Sequence, residues 1–335
     1  MSEFEMNLPF VSVIIPVFNV EPYITDCLQS VMRQTYKGEI ECILVDDCST
    51  DNSMEVAEKL IAEYDGPIEF KILHHDHNQG LSATRNTGTD VATGEYIYYL
   101  DSDDYISDDC LSILTEPLAD DNYDMVIGDY ETFGGGQVPS LLFVQQKEIF
   151  GNKNIFHELA EHRLPVIACN KLCKHSYLKS NGIEFLIGQL HEDDLWTYKI
   201  CLCCTKISIQ RKVTYYYRQR STSIVYSDSI KQQQRFESVS KTVEYILLHK
   251  PIIVNSDYYR CSLTYIGKCL SYAINGDFAF YEGYKSMRKL IDYNPLNLYL
   301  KRQISLLELK RSIHLAMPTT MGYGYLLLRR AINKK

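Results

Sequence analysis

Residues 11–15 (VSVII) are an almost unbroken run of apolar, mostly β-branched side chains, followed at once by Pro16. Such a run predicts a strand buried on both faces in a parallel sheet and stopped by the proline. Tyr23, Ile24, Cys27, Leu28 and Val31 then recur at helical spacing, with Pro22 suited to a first turn. Residues 40–45 predict a second buried strand that delivers Asp46 and Asp47 at its end. Ala57, Leu60, Ile61 and Tyr64 form the apolar face of a helix that Ser49 or Asp51 can cap. Residues 70–73 predict a third strand, 81–91 a helix, and 96–100 a fourth strand that runs into Asp101-Ser102-Asp103-Asp104.

Strands and helices alternating at this short spacing imply an α/β fold with a doubly wound, mostly parallel sheet flanked by helices. Ligands of such sheets sit beyond the carboxyl ends of the strands. Three polar clusters follow strand ends: the residues after Pro16, the pair Asp46-Asp47, and residues 101–104. They are expected to converge on one crevice. Past Gly134-Gly135-Gly136 the pattern loosens, and residues 140–225 mix short strands and helices. From about residue 230 the periodicity is helical, with candidate helices near 230–249, 257–275, 277–292 and 299–315. The expected organisation is an α/β domain over 1–225, divided near 130 into halves 1–130 and 131–225, with a helical C-terminal region over 226–335. There is no internal repeat and no low-complexity segment.

Asp101 and Asp103, two residues apart at a strand end, can point at one ion. Their hard oxygens suit Mg²⁺ or Mn²⁺, which also bind phosphate. The alternative is a solvated acidic turn that caps a helix from Asp108. Asp47 can accept the imide N–H of a uracil ring, since Ser49 or Asp51 alone would satisfy the following helix. Gly80 permits close backbone approach at a helix start, a place for an anion or a base edge. Arg85, one turn further on, can pair with the acidic cluster or with a phosphate.

Composition narrows the class. The 335 residues are 45% hydrophobic and 23% charged, ordinary for a soluble globular protein with a sizeable core. A net charge of −9 argues against nucleic acid as the partner of the whole chain. That charge is uneven: from Lys285 onward eleven Lys and Arg stand against Asp292 and Glu308, about +9, leaving about −18 for the rest. The apolar and basic stretch 319–335 is therefore a candidate for peripheral contact with an anionic membrane, the alternative being a helix packed on the body with a solvated basic end. Eleven irregularly spaced cysteines read as reduced thiols. With no signal-peptide pattern and no run of 18 apolar residues, a cytoplasmic location is expected, at the inner face of the membrane if the tail binds there.

Residues 11–19 (VSVIIPVFN), 23–34, 45–53 (VDDCSTDNS), 80–86 and 101–104 (DSDD) occur together, in order, over about 110 residues. Together they resemble the family-2 glycosyltransferases, bacterial polysaccharide-building enzymes of the GT-A fold. One departure is Cys48, where that family usually has glycine; it is expected to be tolerated because cysteine is small. The resemblance implies that Pro16, Val17 and Phe18 line a nucleoside site and that Asp47 binds the uracil. It implies that Gly80, Arg85 and Asn86 shape the donor site, that Asp101 and Asp103 are the metal-binding DxD with Asp103 the direct ligand, and that Ser102 lies against the donor.

It also implies a catalytic base in a Glu-Asp pair followed by an aromatic residue. Here His191-Glu192-Asp193-Asp194-Leu195-Trp196 matches, which assigns the base to Asp193, with Glu192 and Asp194 as substitutes and helix N-capping as the plain alternative. Trp196 is either packing or a platform for an acceptor sugar. Lys171, and Arg218 or Arg220, are weaker candidates for phosphate contact. The implied reaction moves a sugar from a nucleotide-sugar, commonly UDP-linked, to a hydroxyl of a glycan or lipid-linked saccharide in surface polysaccharide synthesis. It needs Mn²⁺ or Mg²⁺ and inverts the anomeric centre. The alternatives are a nucleotidyltransferase, although no glycine-rich loop follows the first strand, and a nucleotide-sugar-binding module without catalysis. No GxGxxG follows that strand either, which excludes a dinucleotide-binding dehydrogenase.

Overall fold

A computed structural model describes residues 8–134, 144–219, 229–276 and 278–333. The chain opens with β1 (Val11–Val17), α1 (Ile24–Met32), β2 (Ile40–Asp46), α2 (Ser53–Ala62), β3 (Glu69–His74), α3 (Leu81–Val91) and β4 (Tyr96–Tyr99). Every residue of β1 and β2 is buried, as the continuous apolar runs require. These four strands are parallel, in the order β3-β2-β1-β4. The chain winds outward from β1 to β3 and then returns to the other side of β1, which makes the gap between the ends of β1 and β4 a topological switch point.

β1 does not stop at Pro16 but continues to Val17, paired with β2. The proline is tolerated because the β1–β4 ladder ends at Ile14 and Tyr99, so no neighbour on that side asks for its missing N–H. Alternate β1 residues Val11, Val13, Ile15 and Val17 join Leu28, Val31, Leu111 and Leu114 in the main core. On the opposite face α3 lies so close that a Cβ at Gly88 would sit 2.4 Å from Ile14 Cγ2.

Next come β5 (Tyr105–Ile106), α4 (Cys110–Thr115), β6 (Met125–Phe133), β7 (Glu148–Phe150), α5 (Asn152–Ala160), β8 (Lys171–Lys174), α6 (His175–Ser180), α7 (Glu192–Cys203) and β9 (Lys206–Arg218). The sheet continues from β4 through β8, β6, β9 and β5, with β7 on β9. β8 runs antiparallel to β4 and β6, so the expected parallel sheet is the first half of a mixed one.

Glu41 is buried in β2, at the end of the strands away from the acidic clusters, and the apolar pattern around it gives no sign of its role. Its carboxylate accepts from Ser12 Oγ (2.5 Å), Thr93 N (2.6 Å), Gly94 N (3.1 Å) and Lys71 Nζ (2.6 Å). Burial alone would raise its pKa; the bonds from Lys71, Ser12 and Thr93 outweigh that and bring it from 4.5 down to about 2. A carboxyl whose folded pKa is depressed stabilises the fold above its unfolded pKa and loses that contribution as pH falls toward the folded value. Glu41→Gln is therefore expected to lower unfolding free energy by about 2 kcal/mol at neutral pH. In urea unfolding, the gap to wild type should close as pH falls from about 4.5 toward 2; a gap independent of pH would show that the charge is not what stabilises.

The chain folds into two compact units. The first comprises Met1–Glu158, His162–Gly188 and Lys199–Ser221; the second comprises Leu159–Glu161, Gln189–Tyr198 and Thr222–Lys335. Residues 189–198, which carry the HEDDLW segment, thus group with the C-terminal helices. The second unit is built of α8 (Ser229–Leu248), α9 (Ser256–Asn275), α10 (Tyr281–Leu290), α11 (Pro295–Leu300), α12 (Leu306–Ser312) and α13 (Thr319–Asn333). The helix expected over 299–315 is broken. Arg302 takes a φ of 56°, and Ser305 starts α12 with a capping box closed by Glu308. α11 starts with a simpler cap, the Asn294 side chain accepting from Leu296 N and Pro295 standing in the first turn.

Candidate active site

In the first unit the ends of β1, β2 and β3 are stitched side by side. Asp47 N donates to Val17 O (2.9 Å), and His75 N donates to Asp46 O (2.9 Å). Asn19, just past β1, accepts from Thr50 N at 2.8 Å, and Asp46 accepts from Ser49 N at 2.9 Å. Pro16 and Val17 are buried within the strand, so of the three expected nucleoside-lining residues only Phe18 turns its side chain to solvent.

Asp47 is nearly enclosed, and its carboxylate is engaged by the protein. Oδ1 accepts from Gln79 N (2.8 Å) and lies 2.7 Å from His75 Nδ1; Oδ2 accepts from Gly80 N (2.8 Å). His75 Nε2 in turn lies 3.0 Å from Thr87 Oγ1 on α3. The acid thus ties the end of β2 to the start of α3. Gly80 takes a φ of +86°, which an L side chain rarely adopts, so glycine is required there. Sequence reasoning misses His75, although a histidine directly after a strand parallel to β2 is the available signal.

Cys48 has a φ of 62°. The glycine usual at this place thus answers to backbone conformation rather than to size, and the cysteine carries a left-handed backbone costing about 1 kcal/mol. Its thiol donates to His75 O at 3.1 Å.

The DSDD turn follows β4, next to the end of β1. Arg85, buried on α3, donates from Nη2 to Asp101 Oδ1 at 2.8 Å and lies over the Phe185 ring. Asn86 holds the same segment by a reciprocal pair with the Phe185 backbone, both bonds 2.9 Å. Asp104 is buried and accepts from Tyr215 Oη and Arg218 N, each at 2.7 Å. Arg218 also donates to Asp103 O (2.9 Å) and Asp26 Oδ2 (2.8 Å), and its guanidinium lies over Tyr23 and Phe133. Arg218 therefore braces the turn against α1, while Arg220 lies outside the described residues.

Ser102 is buried within the turn, and Asp101 and Asp103 are half-buried. Burial raises the Asp104 carboxyl well above the ordinary range, and the Asp103 and Asp101 charges raise it further. Three carboxyl groups thus crowd one another on a turn whose backbone is fixed. Two of them, Asp101 and Asp103, present hard oxygen atoms without deep burial, and this donor set fits Mg²⁺ or Mn²⁺.

The model for Glycosyl transferase family 2 matches residues 12–182, about half of the chain and all of the strand-end clusters just described. The chain belongs to glycosyltransferase family 2. It is 32% identical over 224 residues to Glycosyltransferase GlyA of Streptococcus pneumoniae, a match covering 64% of this chain but only 31% of that protein. It is 28% identical over 243 residues to TarS of Staphylococcus aureus, a poly(ribitol-phosphate) beta-N-acetylglucosaminyltransferase, covering 71% of this chain and 40% of TarS. The structure of TarS residues 1–349 in complex with UDP-GlcNAc superposes with a TM-score of 0.66 at 23% identity, covering 91% of this chain and 90% of that one. That likeness shows the fold, a GT-A α/β sheet followed by a helical C-terminal region.

In the second unit, α7 begins at Glu192, which puts Asp193 inside the first turn rather than at the N-cap. Glu192 and Asp194 are buried, whereas Asp193 is half-buried and the most accessible of the three acids. Asp194 is bonded to Lys268 Nζ and accepts from Tyr265 Oη at 3.4 Å. His191, with a φ of 59°, stacks on Tyr272 with ring centroids 5.9 Å apart. Gln189 donates to Ser238 O and Thr242 Oγ1 on α8. The whole segment is therefore held by α8 and α9.

Trp196 is fully buried, so of its two readings packing holds and the sugar platform does not. Lys171, in the first unit, is buried on β8 with its ammonium donating to Ile167 O, which does not fit the expected phosphate contact.

Proposed function

We propose that this chain is a metal-dependent inverting glycosyltransferase. It would move a sugar from a UDP-linked donor to a hydroxyl of a glycan or lipid-linked saccharide in surface polysaccharide synthesis. The observation that carries the reading is the braced DSDD turn beside the topological switch point, in a chain of family 2. Residues 1–225 form the proposed glycosyltransferase domain and 226–335 its helical extension. The UDP-GlcNAc held by TarS supports a uridine nucleotide-sugar.

In this mechanism Asp101 and Asp103 would hold a divalent metal, with Arg85 orienting Asp101 and the Arg218–Asp104–Tyr215 brace orienting the turn. A divalent cation bound there would offset the negative charge of a departing diphosphate. Phe18 at the end of the Pro16–Val17 segment contacts the nucleoside, Asp47 binds the uracil from within the clamp at the start of α3, Gly80, Arg85 and Asn86 shape the floor of the donor site, and Ser102 lies against the donor. Asp193 takes the proton from the acceptor hydroxyl as it attacks the anomeric carbon. One in-line displacement inverts that centre. An aspartate needs no large pKa shift for this, because the hydroxyl loses its proton only as the bond forms. The basic C-terminal stretch would contact the anionic inner face of the cytoplasmic membrane, where lipid-linked acceptors are available.

The test is thermal shift and donor hydrolysis over a panel of nucleotide-sugars, with and without Mn²⁺. One UDP-sugar should raise the melting temperature, and its hydrolysis should require metal. Stabilisation by a nucleotide-sugar with no turnover under any metal or acceptor would favour a binding module, and no stabilisation by any of them would overturn the reading.

A further inference from the structure

α13 is anchored by one face and apolar on the other. Leu326 is buried, and a Cβ at Gly322 would lie 2.3 Å from His314 O, so the helix is pressed against its own unit. Tyr323 meets Phe280 and Tyr281 edge-on at 5.0 and 4.9 Å. Arg330 donates to Phe278 O at 3.2 Å and to Gly276 O. These contacts fix the rotation of the helix about its axis. At helical spacing Met321, Leu328 and Ile332 then fall on one outward stripe, and each is about 60% exposed.

A surface helix ordinarily turns its apolar stripe inward and its polar residues to water. Here both faces are apolar, and the outer one has no partner among the described residues. Residues 285–335, of which α13 is the last helix, carry about +9 on a chain of net charge −9. No described helix is long and apolar enough to cross a membrane.

We infer that α13 is a preformed membrane-docking helix that lies in the interfacial plane of an anionic bilayer, inserting Met321, Leu328 and Ile332. This rests on the membrane contact proposed above and gives it a face. The apolar stripe enters the acyl boundary, and the net positive charge of residues 285–335 draws the helix to an anionic surface. Because α13 is held at both ends of its inner face, docking would fix the orientation of its unit at the surface rather than merely tether it.

The full chain is tested by co-sedimentation with vesicles of phosphatidylcholine alone and of phosphatidylcholine with phosphatidylglycerol. Wild type should bind the anionic vesicles, more weakly at high salt, and bind the neutral ones poorly. The variant M321E/L328E/I332E should lose at least about tenfold in partitioning with an unchanged melting temperature, since all three side chains are already in water. Ile332→Trp, which keeps the face apolar, should retain binding. If the triple variant binds as wild type does, the charges alone hold the membrane and the docking face is wrong while the membrane reading stands. If wild type binds neither vesicle, both fail. A wild-type dimer in light scattering that the triple variant splits would show the face to be covered by a second copy, which also overturns the inference.

Discussion

Asp103→Asn is expected to lower sugar transfer by about 10²- to 10³-fold, the usual effect of removing one fixed electrostatic partner from a reacting centre. The substitution keeps the side chain's volume and removes its charge. It should not unfold the turn, because several of the bonds that hold the turn do not use this carboxylate. Arg218 bonds the Asp103 carbonyl, and Asp104 is fixed by Tyr215 Oη and Arg218 N. Asp101 remains paired with Arg85. The diagnostic measurement is calorimetric titration of UDP with and without Mn²⁺. Wild type should bind more tightly with metal, and the variant should lose that increment while keeping the metal-independent part. A variant with the full metal increment would remove Asp103 from the ligand set, whatever its turnover.

The first four strands are legible because each is a short apolar run ending in a polar cluster, and a parallel sheet must bring such ends together. Position in the chain alone places Asp47, Gly80 and Asp101 at one end of the sheet. What holds them is not legible. Tyr215 reaches Asp104 across 111 residues, and Arg218 reaches Asp26 across 192; no local pattern encodes such a pairing. Glu41 is hidden for the opposite reason. Its strand reads as wholly apolar around it, and only the fold brings Ser12, Thr93 and Lys71 to it. The break between α11 and α12 is readable, since Ser305 followed by Glu308 is a capping box, but continuous apolar periodicity masks it. Trp196 shows the limit of reasoning from residue type: an indole serves packing and sugar stacking alike, and only its burial separates the two.

Asp193→Asn is expected to lower transfer by about 10²- to 10⁴-fold, the range for a general base, while leaving donor binding intact. The three neighbouring acids make the assignment testable, because the structure gives them different surroundings. Asp194 is buried against Lys268 and Tyr265, so Asp194→Asn breaks a charged pair and should act first on folding, by roughly 2 kcal/mol. Asp193 is half-buried in the first turn of α7, so its amide variant should melt close to wild type.

The expected pattern is thus a split. Asp193→Asn keeps its melting temperature and its UDP-sugar affinity and loses transfer, whereas Asp194→Asn loses melting temperature, with activity falling only as far as the folded fraction does. Glu192→Gln supplies the third arm: Glu192 is buried in the first turn of α7, and its amide variant should leave turnover near wild type once folded. If Asp193→Asn turns over normally and Glu192→Gln does not, the proton acceptor is Glu192. The inverting displacement would survive that reassignment, because either acid would remove the acceptor's proton in the same single step.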